Sequence, residues 1–349
     1  MSSWYQAAIT PPCEEYKQLA KSRQNQLTKP AGSMGQLELL AVELAAMQGR
    51  KTPLMENIAI RIFAADHGLA EQNVSAFPQS VTVEMVKNFL SGGAAICVLA
   101  RSLGADFGVV NVGTATYVEG DSLMDLSVAR GTKNIAREAA MTPSQFDSAL
   151  LVGKNITDQA ATKELHCFVG GEMGIGNTSS AAAVACGLLG LEPEQVVGLG
   201  TGVDDDGLQR KVALVQQALE LHRDQLTSPS SVATSLGGFE IVALAGAYLQ
   251  SAMLGVPILV DGFICTVAAL LACRMNPELR PWLLFAHQGA EAGHRHVLDA
   301  LGAAPLLKLD LRLGEASGAA VALPLLRLAC DLHNNMATFE EASVSEKSG

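Results

Sequence analysis

The chain has 349 residues, of which 49% are hydrophobic and 5% aromatic, and its formal net charge is −11 at pH 7. This length is sufficient for one large α/β domain with a smaller addition, or for two domains. Neutralising nucleic-acid phosphates requires a basic surface, and no basic cluster occurs in the sequence. We therefore expect no nucleic-acid partner.

Two stretches bear on the location of the protein. Residues 1–16 lack the basic start and apolar core of a signal peptide, so we expect a cytoplasmic protein. Residues 241–260 approach the length of a membrane span, but polar and helix-breaking residues interrupt them between Gln250 and Pro257. This pattern predicts a buried helix followed by a buried strand, and no membrane span.

In chain order, the first predicted elements are helices. Residues 1–54 predict helices on either side of a loop at 27–36. Beyond them, short apolar runs alternate with longer Ala-rich stretches. The runs that we interpret as strands are 58–65, 107–113, 167–171, 196–200, 257–262, 282–287 and 306–311. An apolar helix is predicted over 317–335, followed by a polar tail, 340–349, for which we predict disorder.

Near-continuous apolar strands separated by helices are typical of a parallel sheet that is covered on both faces. We therefore predict an α/β fold built on a doubly wound parallel sheet. In such sheets, ligands bind beyond the carboxyl ends of the strands. The segments where chemistry is expected are 66–68, 170–177, 200–206, 261–263, 287–293 and 314–318.

A glycine-rich loop connects a predicted strand to an Ala-rich helix within residues 169–189. Backbone N–H groups at a helix N-terminus, approached closely through glycines, form an anion site, and the alternative is an ordinary tight turn. The Walker and GxGxxG patterns are both absent. Glu172 lies within this loop, where an acid is costly unless it acts on another part of the ligand.

Glu315 precedes a helix of small residues, in the stretch RLGEASG. An acid in a first helical turn favours the helix dipole, which is one interpretation. The other is a carboxylate in a semi-apolar pocket, where its pKa would rise and it could act as a general base.

Three histidines occur in the stretch 286–298. His294 and His296 lie on different faces of a predicted helix, so their spacing does not favour a metal site. His287 ends a predicted strand. A backbone phosphate site at residues 288–290 is the favoured interpretation.

Two acidic groups leave alternatives open. The run 204–206 could hold a divalent ion or cap a turn, and Lys211 follows it as a candidate phosphate partner. Asp66 and His67 could form an acid–base pair, or Asp66 could bond a nearby turn.

Together, several stretches resemble the nicotinate-nucleotide–dimethylbenzimidazole phosphoribosyltransferase family, which builds the lower ligand of cobalamin. They occur in the family's order and span nearly the whole chain. The matching stretches are LTKPAGSMGQLE (27–38), AADHGLA (64–70), VARGTKNIA (128–136), GGEMGIGNTSSAAA (170–183), GTGVDDDGL (200–208), SLGGFEIVALAGA (235–247), LVDGFI (259–264) and LRLGEASGAA (311–320).

The resemblance implies phosphoribosyl transfer from nicotinate mononucleotide to 5,6-dimethylbenzimidazole, giving α-ribazole 5′-phosphate and nicotinate, in cobalamin nucleotide-loop assembly. It implies a Rossmann-like domain over 55–315 and a small helical domain built from 1–54 with 316–349. It also implies a homodimer. No metal or other cofactor is expected, because no pyrophosphate is transferred.

The resemblance also implies roles for individual residues. Glu315 should take the benzimidazole N–H proton, and Glu172 should lie near the reacting groups. The residues expected to hold the phosphate and ribose are Gly174, Ile175, Gly176, Asn177, Thr178, Lys211, Gly289 and Ala290. The residues expected to line the base pocket are Phe77, Met85, Leu313, Asp261 and Gly262.

Two departures from the family pattern leave the acceptor base open. Ala316 stands where the family usually has glycine, and its methyl group could narrow the site. The segment 75–86 also differs from some members. The alternative is therefore an enzyme of the same fold that uses adenine, another benzimidazole or a phenol. A non-catalytic nucleotide-binding protein is a rival of another class, against which the presence of both Glu172 and Glu315 argues.

Overall fold

The computed structural model of the chain describes residues 3–200, 202 and 204–345. Within these residues, the strands form one parallel sheet in the order β3-β2-β1-β4-β5-β6. The strands are β1 (Ile58–Ala65), β2 (Asp106–Gly113), β3 (Leu123–Asp125), β4 (Cys167–Met173), β5 (Ile258–Val260) and β6 (Leu283–Phe285). The predicted doubly wound α/β fold is confirmed. Its strand order reverses between β1 and β4, where such sheets bind ligands.

Helices cover both faces of this sheet. In the described part of the chain, the α-helices are α1 (Glu14–Gln26), α2 (Gln36–Gln48), α3 (Val81–Ser91), α4 (Ala95–Leu103), α5 (Pro143–Ala160), α6 (Asn177–Leu189), α7 (Pro193–Val196), α8 (Asp205–His222), α9 (Pro229–Leu236), α10 (Phe239–Met253), α11 (Phe263–Met275), α12 (His294–Ala300) and α13 (Ser317–Asn335). The predicted final helix is confirmed at both ends.

Alternation along the central strand β1 divides the core into two layers. Ile60 and Ile62 face the layer that contains α2, α3, α4 and α13. Phe63 faces the opposite layer, which includes α5, α6, α10 and α11. Successive side chains of a strand point to opposite faces, so a fully apolar strand supplies both layers. The sheet is therefore buried on both sides, as its sequence predicts.

The apolar stretch 241–260 is a buried helix and strand, as predicted, because it forms most of α10 and all of β5. Helix α10 packs closely on α5. A Cβ at Gly153 would overlap the backbone of Ala243, so the glycine permits this approach. Close packing of two helices accounts for the small residues in both sequences.

One described stretch, Val81–Leu103, is long and apolar enough to cross a membrane by length and composition. It consists of α3 and α4, separated by Gly92 in the left-handed conformation with φ 79°. These helices have 11 and 9 residues, whereas a spanning helix needs about 20. Neither helix alone reaches that length.

Two predicted strands are wrong. Val196 is the last residue of α7, which begins at Pro193 with a capping box between Glu192 and Gln195, and residues 197–200 form a short coil and a turn. Residues 306–311 contribute one isolated bridge, between Leu307 and His287, rather than a strand. The three-residue edge strand β3 was not predicted, because so short a run carries no alternation.

The helices from the two chain ends pack on one another, with α2 between α1 and α13. Helices α2 and α13 also share their apolar core with the sheet. The division into residues 55–315 and residues 1–54 with 316–349 therefore stays a prediction. Residues 346–349 of the polar tail, like residues 1 and 2, lie outside the described part.

Candidate active site

A cleft that is partly open to solvent lies at the carboxyl ends of β4, β5 and β6, with about 740 Å³ of empty space when its open mouth is included. We call it the central cleft. The residues that line it are Glu172, Met173, Gly174, Ile175, Asn177, Thr178, Gly200, Asp261, Gly262, Phe263, Ile264, Cys265, His287, Gly289, Glu291, Leu311, Arg312, Leu313, Gly314 and Glu315.

The glycine loop, residues 174–176, leads from β4 into the N-terminus of α6. Gly176 has φ 97°, a left-handed conformation that favours glycine. The Ile175 amide donates to Thr82 Oγ1 at 3.0 Å, and the Ser179 amide donates to the Gly176 carbonyl at 3.1 Å. Thr178, in the first turn of α6, lines the cleft together with the loop, so the positive end of the helix dipole lies at the cleft.

Glu172, the next-to-last residue of β4, lines the central cleft and is 6% exposed. The side-chain amide of Asn177, in the first turn of α6, donates a hydrogen bond to its Oε2. Burial raises the pKa of Glu172 to about 8, and the charges of Glu240 and Asp261 add to the rise. At neutral pH the side chain is therefore mainly protonated in the empty cleft, and an approaching cation would favour its ionised form.

Glu315 lies opposite the glycine loop, on the turn before α13. Gly314, Glu315 and Ala316 are all left-handed, with φ of 82°, 61° and 61°. Such a run is strained for residues with side chains, and strain of this kind is found at functional sites. Burial and then the charge of Asp261 raise the pKa of Glu315 to about 7. A carboxylate with this pKa suits a general base at neutral pH.

Asp261 and His287 connect the ends of β5 and β6 to α13. The Ala319 amide donates to Asp261 Oδ1 at 2.7 Å, and His287 Nε2 lies 3.7 Å from the same oxygen. Burial raises the pKa of Asp261, although the charge of His287 opposes the rise. The carboxylate thus anchors the helix that follows Glu315 and places negative charge beside it.

Lys211, on α8, lies behind the glycine loop and is 1% exposed. Its Nζ donates to the Gly198 carbonyl at 2.8 Å and to Thr178 Oγ1 at 3.3 Å. Burial lowers the pKa of Lys211 to about 8, and the charge of Glu291 opposes the change. Within the described part of the chain, the ammonium group has these two acceptors for its three protons, which leaves one donor beside the cleft residues Thr178 and Gly200.

The turn at Gly289 and Ala290 is tied to the protein. The Gly289 amide donates to His294 Nδ1 at 2.9 Å, and the Ala290 amide donates to the Leu311 carbonyl at 3.1 Å. Burial lowers the pKa of His294 to about 3, so its ring is neutral, with Nε2 bonded to Thr266 Oγ1. Gly289 lines the central cleft and Ala290 does not. The phosphate role of this turn stays a prediction.

The predicted base-pocket residues separate into two groups. Leu313, Asp261 and Gly262 line the central cleft. Phe77 and Met85 do not: Phe77 is 51% exposed before α3, and Met85 is partly buried against the core.

Ala316 does not line the cleft either. It is fully buried, and its Cβ lies beside Gly171 of β4, on the sheet side of the turn. The expectation that its methyl group could narrow the site is therefore wrong. The left-handed turn directs this side chain inward, away from the cleft.

The contacts of Asp204 and Asp66 favour the turn interpretation for each. Asp204 caps α8, since its Oδ1 accepts from the Gly207 amide at 2.8 Å, while Thr201 and Val203 of the same motif lie outside the described residues. Asp66 accepts from the Ala115 amide at 2.8 Å, so it bonds a nearby turn. Across residues 3–200, 202 and 204–345, no three His, Cys, Asp or Glu side chains are grouped to hold a metal ion.

Several cleft residues were not predicted individually. Arg312 and Glu291 bring charge to the cleft, and Phe263, Ile264 and Cys265 form an apolar wall at the start of α11. The sequence did indicate these positions, because they lie at or beside the predicted strand ends. Which side chains of those segments face the cleft depends on the turn geometry, and sequence spacing does not define it.

Comparisons with known proteins agree with this geometry. The phosphoribosyltransferase family profile matches residues 9–344. A nicotinate-nucleotide–dimethylbenzimidazole phosphoribosyltransferase of Pseudomonas putida is 52% identical over 346 residues, covering 99% of both chains. One of the same name from Ectopseudomonas mendocina is 54% identical, covering 99% of this chain and 98% of its own.

The fold has a similar match among solved structures. The crystal structure of CobT from Thermus thermophilus has a TM-score of 0.91 and 46% sequence identity, and the alignment covers 95% of this chain and 100% of that one. Fold, cleft and sequence thus agree, and the chain belongs to the phosphoribosyltransferase family that contains these nicotinate-nucleotide–dimethylbenzimidazole enzymes.

Proposed function

We propose that this enzyme transfers the phosphoribosyl group of nicotinate mononucleotide to 5,6-dimethylbenzimidazole, forming α-ribazole 5′-phosphate and nicotinate for the nucleotide loop of cobalamin. The observation that carries the proposal is the pair of buried carboxylates, Glu172 and Glu315, in one cleft with the amino end of α6. One carboxylate, Glu315, has a pKa of about 7 and the other, Glu172, about 8. The chemistry of the transfer requires an anion site, a cation-stabilising group and a base.

The phosphate is assigned to the glycine loop and Lys211. The amino end of α6 favours an anion, and the remaining Nζ donor lies beside Thr178. Holding the phosphate there places the ribose over the floor of the cleft, near Glu172. Fixing the sugar in this way supplies proximity and orientation for the transfer.

When the glycosidic bond breaks, its electron pair returns to the pyridinium nitrogen, and nicotinate leaves with a neutral pyridine ring, so its departure requires no general acid. The cationic donor favours the ionised form of Glu172, which releases its proton to solvent as the donor binds, and the carboxylate then stabilises the positive charge that develops on the ribose. The acceptor nitrogen attacks from the opposite face of the sugar, which converts a β-linked donor into an α-linked product. The ionised form of Glu172 is thus present when positive charge requires it.

Glu315 completes the reaction as the general base. As one ring nitrogen of the acceptor forms its bond to the sugar, the N–H of the other nitrogen becomes acidic. A carboxylate with a pKa of about 7 is substantially ionised at neutral pH and accepts that proton. Leu313 and the apolar wall at Phe263 and Ile264 supply the surface on which a flat aromatic acceptor can pack.

The test is direct. Purified enzyme is incubated with nicotinate mononucleotide and 5,6-dimethylbenzimidazole, and nicotinate and the product nucleotide are separated by chromatography, with the α-anomer identified by NMR. We expect release of equal amounts of nicotinate and α-ribazole 5′-phosphate. Absence of nicotinate release with every acceptor would reject the transferase assignment.

The acceptor is tested by a panel. Adenine, unsubstituted benzimidazole and a phenol are compared with 5,6-dimethylbenzimidazole by kcat/KM. We expect the dimethylated base to have the highest value. A higher value for adenine or a phenol would replace the acceptor and leave the transfer chemistry in place. A homodimer in the cytoplasm also stays a prediction, checked by light scattering and by fractionation.

A further inference from the structure

A buried ion pair lies directly behind the glycine loop and outside the central cleft. His67 follows β1, and its Nε2 lies 2.7 Å from Oε1 of Glu240 in the first turn of α10. The side chains are 1% and 0% exposed. Burial opposes the charged form of His67, but the nearby carboxylates of Glu240 and Asp66 outweigh it and raise its pKa. The raised pKa favours a protonated imidazole at this hydrogen bond to Glu240.

His67 lies next to the glycine loop. A Cβ built at Gly174 would lie 2.3 Å from the Ala65 carbonyl oxygen and 3.4 Å from His67 Cδ2, and a Cβ built at Gly176 would lie 3.4 Å from His67 Cβ. The end of β1 and the His67 side chain are therefore close to the loop at both of its glycines. On the other side of the pair, a Cβ at Gly238 would lie 2.6 Å from Glu240 Oε2, so only glycine fits there without rearrangement.

The residue before His67 holds the same loop by hydrogen bonds. The Asp66 carboxylate interacts with the Thr82 hydroxyl, whose oxygen accepts from the Ile175 amide at 3.0 Å. The His67 carbonyl accepts from the side-chain amide of Gln79 at 3.2 Å. Asp66 and His67, the two residues that follow β1, thus both support the loop. Neither of them lines the central cleft.

Stability alone is a weak reason for this arrangement. Moving two charges out of water costs free energy, and the attraction between them often does not compensate for this cost. Replacing a buried ion pair with apolar residues is therefore frequently neutral or stabilising. A buried ion pair does fix one arrangement of its two side chains, because any other arrangement would leave a buried charge unpaired. Here the geometry concerns the backbone that leads from Glu172 to the first turn of α6.

We propose that His67 and Glu240 are positioning residues for nucleotide binding: their ion pair holds the glycine loop against α10, so that the amino end of α6 points at the phosphate. This rests on the assignment of the phosphate to that loop. Neither residue touches substrate. Their loss should therefore weaken binding of the nucleotide and leave the acceptor site unchanged.

The experiment uses three variants of the full chain. Glu240→Gln removes the charge and keeps the side-chain shape, Glu240→Asp keeps the charge and withdraws it by one methylene, and His67→Gln replaces Nε2 with an amide nitrogen at a similar position. Steady-state KM is measured separately for nicotinate mononucleotide and for 5,6-dimethylbenzimidazole, together with kcat and the melting temperature. We expect KM for the nucleotide to rise about 10-fold, with KM for the base changed less than about twofold.

His222→Gln is the matched control. This histidine is also buried and bonds the Ile135 carbonyl at 2.9 Å, and it does not line the cleft. It should lower the melting temperature and leave both KM values as in the wild type. The control separates loss of stability from loss of loop position.

The outcomes are distinct. A folded Glu240 or His67 variant with unchanged KM for the nucleotide overturns the proposal, as does an equal rise in both KM values. Failure of all three variants to fold also overturns it, because the pair is then required for the fold itself. Should the wild type show no turnover, calorimetric titration with nicotinate mononucleotide still compares the variants. The positioning role and the proposed reaction can therefore fail separately.

Discussion

The carboxylate of Glu172 fills the space beside Gly314 in which a side-chain carbon at position 314 would have to lie. Gly314 is also left-handed, with φ 82°, and it directly precedes Glu315. The absence of a side chain therefore lets the two acidic segments of the cleft, the end of β4 and the turn before α13, approach each other. Glu172 and Glu315 are neighbours in the cleft because of this glycine.

Gly314→Ala should displace Glu172 and lower kcat/KM by about 10- to 100-fold, since a small misplacement of a reacting group is costly. Gly302→Ala is the control, because Gly302 is equally left-handed at φ 57° and has open space around it. Both variants should lose about 1 kcal/mol of stability from backbone strain. Equal activity of the two variants would contradict the role of the Glu172 contact.

Glu315→Gln should lower kcat by about 10²- to 10⁴-fold, as expected for loss of a general base. In the wild type, kcat should fall as the pH drops below about 7, because the carboxylate must be ionised to accept the proton. Rate–pH profiles of both proteins check this. Near-normal turnover in the variant, or a wild-type profile without this acidic limb, would remove Glu315 from the mechanism.

Glu172→Gln should change how stability depends on pH. The folded-state pKa of about 8 exceeds the ordinary value of 4.5, so the native state binds more protons than the unfolded state between these values. Stability contributed by protonated Glu172 is therefore lost as the pH rises toward and through 8. Over pH 6 to 9, the melting temperature of the variant should fall less than that of the wild type, by an amount on the order of a few degrees. Parallel melting curves would show that Glu172 is not protonated in the folded protein.

Lys211→Gln should raise KM for nicotinate mononucleotide by about 10- to 100-fold, because it removes the positive charge beside the anion loop. The measurement that distinguishes a phosphate role is the ratio of the variant's KM to the wild-type KM for nicotinate riboside, which has no phosphate. Lys21→Gln, on the exposed part of α1, serves as the control. A loss of the same size with the riboside would mean that Lys211 supports the fold of the cleft and not the phosphate.

Sequence by itself determined the order of the central elements and the segments that meet at the cleft. Apolar runs mark β1, β2 and β4 closely, because a strand buried on both faces leaves a continuous apolar signature. Parallel strands bring their carboxyl ends to one edge, so the sequence alone predicts residues 170–177, 261–263 and 287–293 there. Resemblance to a family then assigned Glu172 and Glu315 to one reaction.

Only the tertiary structure decided which side chains face the cleft and in what charge state. Ala316 and Glu315 are adjacent in sequence, yet a left-handed turn directs one inward and leaves the other in the cleft. The pKa values of Glu172 and Glu315 depend on burial and on charges that lie far away in the sequence. Likewise, 173 residues separate His67 from Glu240, so no local pattern could pair them. Propensity and periodicity act over a few residues, whereas desolvation and charge pairing are set by the whole fold.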